Sequence, residues 1–177
     1  MQLGHLKHIK KFINDDVSTY YFNELKTNIP WETVTWRGNK KLPRLVHKYE
    51  GNIDVLDELS KLITDSFIVN VEGIWCNYYR NGSDYTPEHQ DSYGANVFTL
   101  SFGSSRDFYF RNIETKERIN FRLRKGDLYF FDQETNSKYT HSIPKRKDAK
   151  ERISIVFFTS EPSSVDIIDI LSHTSLD

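Results

Sequence analysis

The spacing of apolar and polar residues divides the chain into a helical first part and a strand-rich second part. Near the N-terminus the pattern predicts a helix over 17–28. Asp15 or Asp16 is expected to cap this helix, because a short acidic side chain before an apolar run is a common helix start. Pro30 ends it, since proline cannot continue a helix.

Two further helices are predicted from the same kind of spacing. The segment 54–66 carries apolar residues on one helical face, and Asn52 or Asp54 is expected to open it. A last helix is predicted over 163–172, after the final strand.

From residue 72 onward the pattern changes to short segments typical of β-strands. Turn-forming pairs such as Asn81-Gly82 and Gly126-Asp127 separate several of them. The predicted strands are 73–80, 96–102, 107–112, 119–124, 127–131, 138–143 and 152–159. Short strands at this spacing favour an antiparallel sandwich or barrel, so the predicted fold class is mainly β with flanking helices.

Composition places the chain among globular proteins and leaves its partners open. With 177 residues, 37% hydrophobic and 28% charged, it is expected to form a single domain over 1–177. A net charge of -1 does not by itself indicate a nucleic-acid partner. The lone Cys76 excludes an internal disulfide and favours a reducing compartment. Without an apolar leader or membrane-length run, we expect a cytoplasmic or nuclear monomer with no membrane contact.

The segment His89-Gln90-Asp91 is the first candidate for chemistry. In an extended segment residues i and i+2 point to one side, so His89 and Asp91 can bind the same metal ion. His141, near the start of a later predicted strand, is the best third ligand. Two histidines and one carboxylate with open positions are typical of non-haem Fe(II) oxygenases, although zinc enzymes use the same ligand types.

A second same-face pair, Arg152 and Ser154, follows in the last predicted strand. A guanidinium and a hydroxyl suit the distal carboxylate of 2-oxoglutarate. The surrounding apolar residues would bury the arginine charge, which calls for an anionic partner. The alternative is a structural salt bridge from Arg152 to Glu151 or Asp148.

A third pair, Asn77 and Tyr79, lies on the predicted strand before the Asn81-Gly82 turn. Their amide and phenol groups can donate hydrogen bonds to carboxylates. Taken alone they are ordinary strand residues, but three polar i,i+2 pairs in apolar strands indicate one shared site.

Several longer motifs follow one another in the second part of the chain. They are NYYRNG, PEHQD, LSFGSSRDFYFR, KGDLYFFD, HSIPKRK and ERISIVFF, and PRLVHKYEG precedes them in the first part. In their order and spacing these motifs resemble the AlkB family of nucleic-acid dealkylating oxygenases, most closely the eukaryotic-type DNA and RNA repair members. The resemblance covers about residues 72–159, and 43–51 is similar to the start of the family's substrate-recognition region.

The resemblance implies a fold, a reaction and a set of site residues. The fold would be a double-stranded β-helix (jelly roll), with a helical and substrate-recognition part at 1–71 and a catalytic core at 72–160. The reaction would be Fe(II)-, 2-oxoglutarate- and dioxygen-dependent demethylation of alkylated bases in DNA or RNA. Iron ligands would be His89, Asp91 and His141; co-substrate ligands Asn77, Tyr79, Arg152 and Ser154; base contacts Arg44, Tyr49, Tyr85 and Tyr93.

The sequence departs from the family's pattern at several of these positions. Ser154 stands where the repair members usually have asparagine, and Phe158 stands where they have a second arginine. Ser92 and Tyr93 replace the acidic residues that help recognise the target base. The aromatic part of the recognition region is short after Tyr49.

Two groups of basic residues could follow a phosphate backbone if they flank the site. They are Arg37, Lys40, Lys41, Arg44 and Lys48, and Lys145, Arg146, Lys147 and Lys150. Two other functions stay open beside demethylation: a hydroxylase of a protein side chain or small molecule, and a nucleic-acid-binding jelly roll without turnover.

Overall fold

A computed structural model describes residues 6–92 and 96–160 of the chain. Its helices are α1 (Asp15–Asn28), α2 (Asp54–Phe67) and α3 (Gln133–Lys138). Its strands are β1 (Leu6–Ile9), β2 (Thr35–Trp36), β3 (Lys40–Lys41), β4 (Leu45–Lys48), β5 (Asn70–Tyr79), β6 (Thr86–His89), β7 (Asn96–Gly103), β8 (Arg106–Asn112), β9 (Arg118–Leu123), β10 (Leu128–Phe131), β11 (Tyr139–Ile143) and β12 (Arg152–Ser160). The helix predicted over 163–172 lies outside the described residues.

The two long helices form where the sequence predicts them, with a corrected start for α1. Its N-cap is Asn14 rather than Asp15 or Asp16, and the Asn14 side chain accepts a hydrogen bond from the Val17 amide at 2.9 Å. The two aspartates instead occupy the first turn, where negative charge is favourable. Helix α2 begins without a side-chain cap, so packing of its apolar face is what holds it.

The strands form two facing antiparallel sheets and one small hairpin. The larger sheet has the order β1-β10-β7-β12-β5-β4, and the smaller has the order β6-β11-β8-β9. Strands β2 and β3 pair only with each other. This arrangement is the expected double-stranded β-helix.

Strand β12, in the interior of the larger sheet, separates the core from the site. Its odd-numbered residues, such as Ile153 and Ile155, pack toward α1 and α2 in the larger apolar cluster. Its even-numbered residues, such as Arg152 and Ser154, line a cavity between the two sheets. The strand is therefore buried on both faces, although two of its four cavity-lining residues, Arg152 and Ser154, are polar.

The first part of the chain contributes more than helices and recognition loops. Strand β1 pairs with β10, and β4 pairs with β5, so both complete the larger sheet. Neither strand was predicted, because each has only four residues and no clear alternation. Within the described ranges, no helix is both long and apolar enough to cross a membrane.

Candidate active site

Three predicted metal ligands meet at one end of the β6–β11 ladder. His89 and His141 are directly paired across the two strands, and Asp91 follows two residues after His89. One carboxylate oxygen of Asp91 lies 3.3 Å from Nε2 of His89, and the other lies 3.6 Å from Nε2 of His141. All three donor atoms fall within 4.8 Å of one another, a spacing that one metal ion can bridge.

The hydrogen bonding of His89 prepares its ring for a metal. Nδ1 lies 2.9 Å from the carbonyl oxygen of Pro87, which can only accept a hydrogen bond. Nδ1 therefore carries the proton, and the lone pair of Nε2 points toward Asp91 and His141. A carbonyl partner on the far nitrogen is a common way to orient a metal-binding histidine.

The protonation of the other two ligands also suits metal binding at neutral pH. Burial among Phe108, Phe110 and Phe131 lowers the pKa of His141, although the nearby Asp91 carboxylate opposes this, so the imidazole is neutral at pH 7. Burial alone would raise the pKa of Asp91, but the neighbouring His141 and His89 side chains hold it well below its usual range. The set is two imidazoles and one carboxylate, the donors that Fe(II) takes in a facial triad.

Asn136 fixes the backbone of Asp91 and was not predicted from the sequence. Its Oδ1 accepts from the Asp91 amide at 3.0 Å, and its Nδ2 donates to the Asp91 carbonyl at 2.8 Å. Asn136 lies on α3, which Asp132 caps by accepting from the Thr135 amide at 2.8 Å. Asp132 followed by a first-turn Glu134 is a helix-start signal that could have revealed α3.

Across the cavity, Arg152 is fully buried and only partly satisfied. Its Nε and Nη2 donate to Ser101 Oγ at 3.1 and 2.6 Å, whereas Nη1 has no hydrogen-bond partner within 6–92 and 96–160. Burial is the main reason why the pKa of Arg152 falls to about 10. The alternative salt bridge is not formed, because Glu151 pairs with Lys26 and Asp148 pairs with Arg146.

The other predicted co-substrate residues surround Arg152. In the β5–β12 ladder Tyr79 faces Arg152, and Asn77 faces Ser154. The guanidinium of Arg152 lies 5.1 Å from the centre of the Tyr79 ring, and Asn77 Nδ2 lies 3.4 Å from Ser154 Oγ. A buried cation with a free donor, beside a phenol, a hydroxyl and an amide, fits a carboxylate ligand.

The two halves of the site belong to different sheets. The predicted metal ligands come from β6, the residues just after it, and β11 in the smaller sheet, while the four predicted co-substrate residues come from β5 and β12 in the larger. Between them lies a cavity of about 800 Å³ that all seven side chains line. Its size exceeds that of a five-carbon diacid, which leaves room for part of a second substrate.

The residues predicted to contact a base are spread over several places. Arg44 lines the cavity, and its side chain is buried. Tyr49 donates a hydrogen bond to Asp57 and packs beside the α2 core, and Tyr85 lies 5.1 Å below the Lys145 ammonium. Neither tyrosine is among the lining residues, and Tyr93 lies outside the described residues. The base contacts stay predictions.

The two basic groups differ in their relation to the cavity. Val34 and Leu42, at the two ends of the β2–β3 hairpin, line the cavity, and the exposed Lys40 and Lys41 form β3 between them. The lining residues found within 6–92 and 96–160 include none from 145–150. In that second group Arg146 is already paired with Asp107 and Asp148.

Residues 46–162 match the family model described as the 2OG-Fe(II) oxygenase superfamily, which is more than half of the chain. An uncharacterized protein, R406, of Acanthamoeba polyphaga mimivirus is 27% identical over 180 residues, covering 89% of this chain and 94% of that protein. The DNA oxidative demethylase ALKBH2 of Bos taurus is 30% identical over 95 residues, covering 46% of this chain and 34% of the bovine protein. The chain thus matches about a third of the length of that enzyme.

Among solved structures, OsALKBH1 has a similar fold, with a TM-score of 0.69 at 16% identity. The similarity covers 88% of this chain and 98% of that one. At this level of identity the likeness concerns the fold alone.

Proposed function

Because the chain belongs to the 2OG-Fe(II) oxygenase superfamily, with AlkB-type proteins among its relatives, we propose that this dioxygenase removes methyl groups oxidatively from alkylated bases of DNA or RNA. The observation that carries the proposal is the His89–Asp91–His141 triad facing the unsatisfied Arg152 across an open cavity. The similarity to a DNA oxidative demethylase supports the choice of substrate.

The proposed division of work among the residues follows from the contacts. His89 and His141 hold Fe(II) through Nε2, and Asp91 holds it through its carboxylate, with Asn136 keeping the Asp91 backbone in place. Arg152 and Ser154 bind the distal carboxylate of 2-oxoglutarate, and the Tyr79 phenol and the Asn77 amide lie beside them.

Iron held by these residues would supply the oxidising chemistry: dioxygen and 2-oxoglutarate would give succinate and carbon dioxide, with one oxygen atom inserted into a C–H bond of a substrate methyl group. The resulting hydroxymethyl group on a base nitrogen would leave as formaldehyde when its C–N bond breaks and the hydroxyl proton passes to the nitrogen. The chain excludes water with the apolar wall of Phe108, Phe131 and Ile143, which also line the cavity.

A nucleic-acid substrate would approach over the β2–β3 hairpin. A base inside a duplex cannot reach a recessed metal, so it must be unpaired or flipped out. The exposed Lys40 and Lys41 can neutralise phosphates at this edge. A cytoplasmic or nuclear location is consistent with such a substrate and stays a prediction.

The decisive experiment is to measure formaldehyde and succinate from the Fe(II)-loaded protein with methylated and unmethylated oligonucleotides, free bases and peptides. We expect formaldehyde only with methylated oligonucleotides, and none from the D91A variant. If only a peptide or a small molecule is turned over, the protein is a hydroxylase of that substrate. If oligonucleotides bind tightly but no succinate forms, it is a nucleic-acid-binding protein without turnover.

The hairpin can be tested separately by oligonucleotide binding at several salt concentrations. Each neutralised phosphate on a duplex contributes a log–log slope of about -0.9, so K40Q/K41Q should weaken binding and flatten the slope. The matched control is K61Q on α2, whose lysine is exposed and lies away from the cavity. Equal slopes for the parent and K40Q/K41Q would remove the hairpin from the proposed interface.

A further inference from the structure

Arg44 is a second buried cation in the same cavity, and nothing in the proposed reaction yet uses it. It lies just before β4, and only 8% of the residue is exposed. Its Nε donates to Asn77 Oδ1 at 2.7 Å, while Nη1 is buried without a hydrogen-bond partner among the residues that the structure describes. Leaving such a donor unpaired is costly, which points to a missing acceptor.

Asn77 cannot satisfy Arg44 any further. Its Oδ1 also accepts from Trp75 Nε1 at 3.1 Å, so two donors already occupy that oxygen. Because Arg44 and Trp75 can only donate, they also fix which side of the Asn77 amide is oxygen. The amide nitrogen is consequently turned toward Ser154 Oγ, on the co-substrate side.

The acidic residues that line the cavity have other partners. The Glu88 carboxylate accepts from Thr140 at 2.6 Å and lies 3.5 Å from Arg111, and Asp91 lies between the two histidines. In the described part of the chain, neither Arg44 nor Arg152 forms an ion pair. The cavity therefore carries two buried positive charges that a dianion would balance.

The positions of the two arginines suit the two ends of one ligand. Leu45 pairs with Tyr78, which places Arg44 beside Tyr79 on one side of β5, and Arg152 pairs with Tyr79 on the other side. Two strand spacings of about 4.8 Å separate their backbones. Such a separation favours two carboxylates of one molecule over a single shared carboxylate.

We propose that Arg44 binds the 1-carboxylate of 2-oxoglutarate, the one that Arg152 does not hold. Arg44 is then a co-substrate ligand that binds the 2-oxo acid end, rather than the base contact expected from the sequence. The proposal rests on the co-substrate site described under the proposed function.

The test is calorimetric titration of 2-oxoglutarate into the anaerobic Fe(II)-loaded protein. The R44M variant should bind at least about tenfold more weakly than the parent, because it loses a charge-assisted contact. R44K should retain part of the affinity through its charge. R80M is the matched control, since Arg80 pairs with Asp84 outside the cavity, and it should bind like the parent.

Two further measurements separate ligand binding from positioning. R44Q keeps a neutral donor for Asn77 but loses the positive charge, so it should bind 2-oxoglutarate as weakly as R44M. If R44Q instead binds 2-oxoglutarate with the parental affinity, Arg44 serves only to orient Asn77. 2-Oxopentanoate lacks the distal carboxylate, so R44M should weaken its binding while R152M should not. An R44M effect confined to 2-oxoglutarate would place Arg44 on the distal carboxylate and overturn the proposal.

Failure of the Arg44 assignment and failure of the proposed function give different experimental results. A parent protein that binds no 2-oxoglutarate would overturn both the co-substrate site and the Arg44 assignment. If R44M and R44Q bind 2-oxoglutarate more weakly than the parent but no methylated oligonucleotide yields formaldehyde, only the proposed nucleic-acid substrate would be overturned. Thermal unfolding of R44M without ligand should match that of the parent, which shows that the lost affinity does not come from unfolding.

Discussion

His89 and His141 face each other across the β6–β11 ladder, with their ring centres 4.3 Å apart and their planes at 58°. Their two strands are far apart in sequence, so the pair exists only when the smaller sheet is formed. A metal ion that binds both histidines and Asp91 must therefore stabilise the fold, since the unfolded chain cannot offer the three donors together.

The first prediction is that Fe(II) raises the unfolding temperature of the parent protein and not that of H141A. At a free metal concentration of a hundred times Kd the stabilisation would be about 2.7 kcal/mol. Anaerobic differential scanning fluorimetry with and without metal measures the shift. H47A is the control, because His47 lies on β4 outside the triad and its loss should leave the metal shift intact.

The second prediction concerns Arg152, which is buried and has no carboxylate partner in the described part of the chain. R152M should weaken 2-oxoglutarate binding by about 2–5 kcal/mol, because it removes the charged contact. Without co-substrate, the same variant should be as stable as the parent or more stable, since a buried unpaired charge costs more than an apolar side chain. Calorimetry and urea unfolding give the two values, and a large loss of stability with unchanged binding would assign Arg152 to the core.

The third prediction concerns the contact between the loop after β5 and the loop after β11. The Arg146 amide donates to the Gly82 carbonyl at 2.8 Å, and a Cβ on Gly82 would collide with the Arg146 carbonyl. G82A should therefore lower the free energy of unfolding by about 1–3 kcal/mol, as overpacking does. G73A is the control, because a Cβ there would lie 3.8 Å from the Phe158 ring, an ordinary contact. Equal urea midpoints for the two variants would contradict the prediction.

The fourth prediction is a pH dependence from Asp127, which ties β1 to the rest of the sheet. Its carboxylate lies 2.8 Å from His8 Nε2 and accepts from the amides of Lys11 and Arg124, both at 3.0 Å. Burial alone would raise the pKa of Asp127, but these hydrogen bonds outweigh burial and lower it.

Because the pKa of Asp127 is lower in the folded state than in the unfolded state, its stabilisation is present above about pH 4 and is lost as pH falls through the folded value. D127N should lower the free energy of unfolding by about 1.5–3 kcal/mol at pH 7, and the difference between the variant and the parent should become smaller near pH 3. Urea unfolding at both pH values measures this. D148N, at an exposed carboxylate, should leave the midpoint unchanged, and a D127N effect independent of pH would contradict the assignment.

The sequence predicted the elements whose stability comes from their own apolar pattern. Helix α2 was expected over 54–66 and ends one residue later, and β12 was expected over 152–159 and extends to Ser160. The closeness of His89 and Asp91 was also predictable, because i,i+2 spacing fixes which side chains share a face of an extended segment.

The features that the sequence did not predict depend on contacts with residues that are distant in sequence. Strand β6 reads TPEH and has no apolar alternation, so only its ladder with β11 makes it a strand. Helix α3 reads QETNSK and has no apolar face, so its cap and the contacts of Asn136 hold it. Arg44 was expected to contact a base or a phosphate, and only the pairing of β4 with β5 reveals that its side chain is buried in the cavity.

The predicted metal ligands lie on one sheet and the predicted co-substrate residues on the other, and this placement has a mechanical consequence. A molecule that contacts both sets spans the gap between the sheets, so its affinity depends on how far apart the sheets are held. Side chains such as Phe110 and Leu123, which pack between the sheets, set that distance. Trimming one of them would misalign the two halves by a fraction of an ångström and loosen the bound molecule, although every group that touches it would still be present.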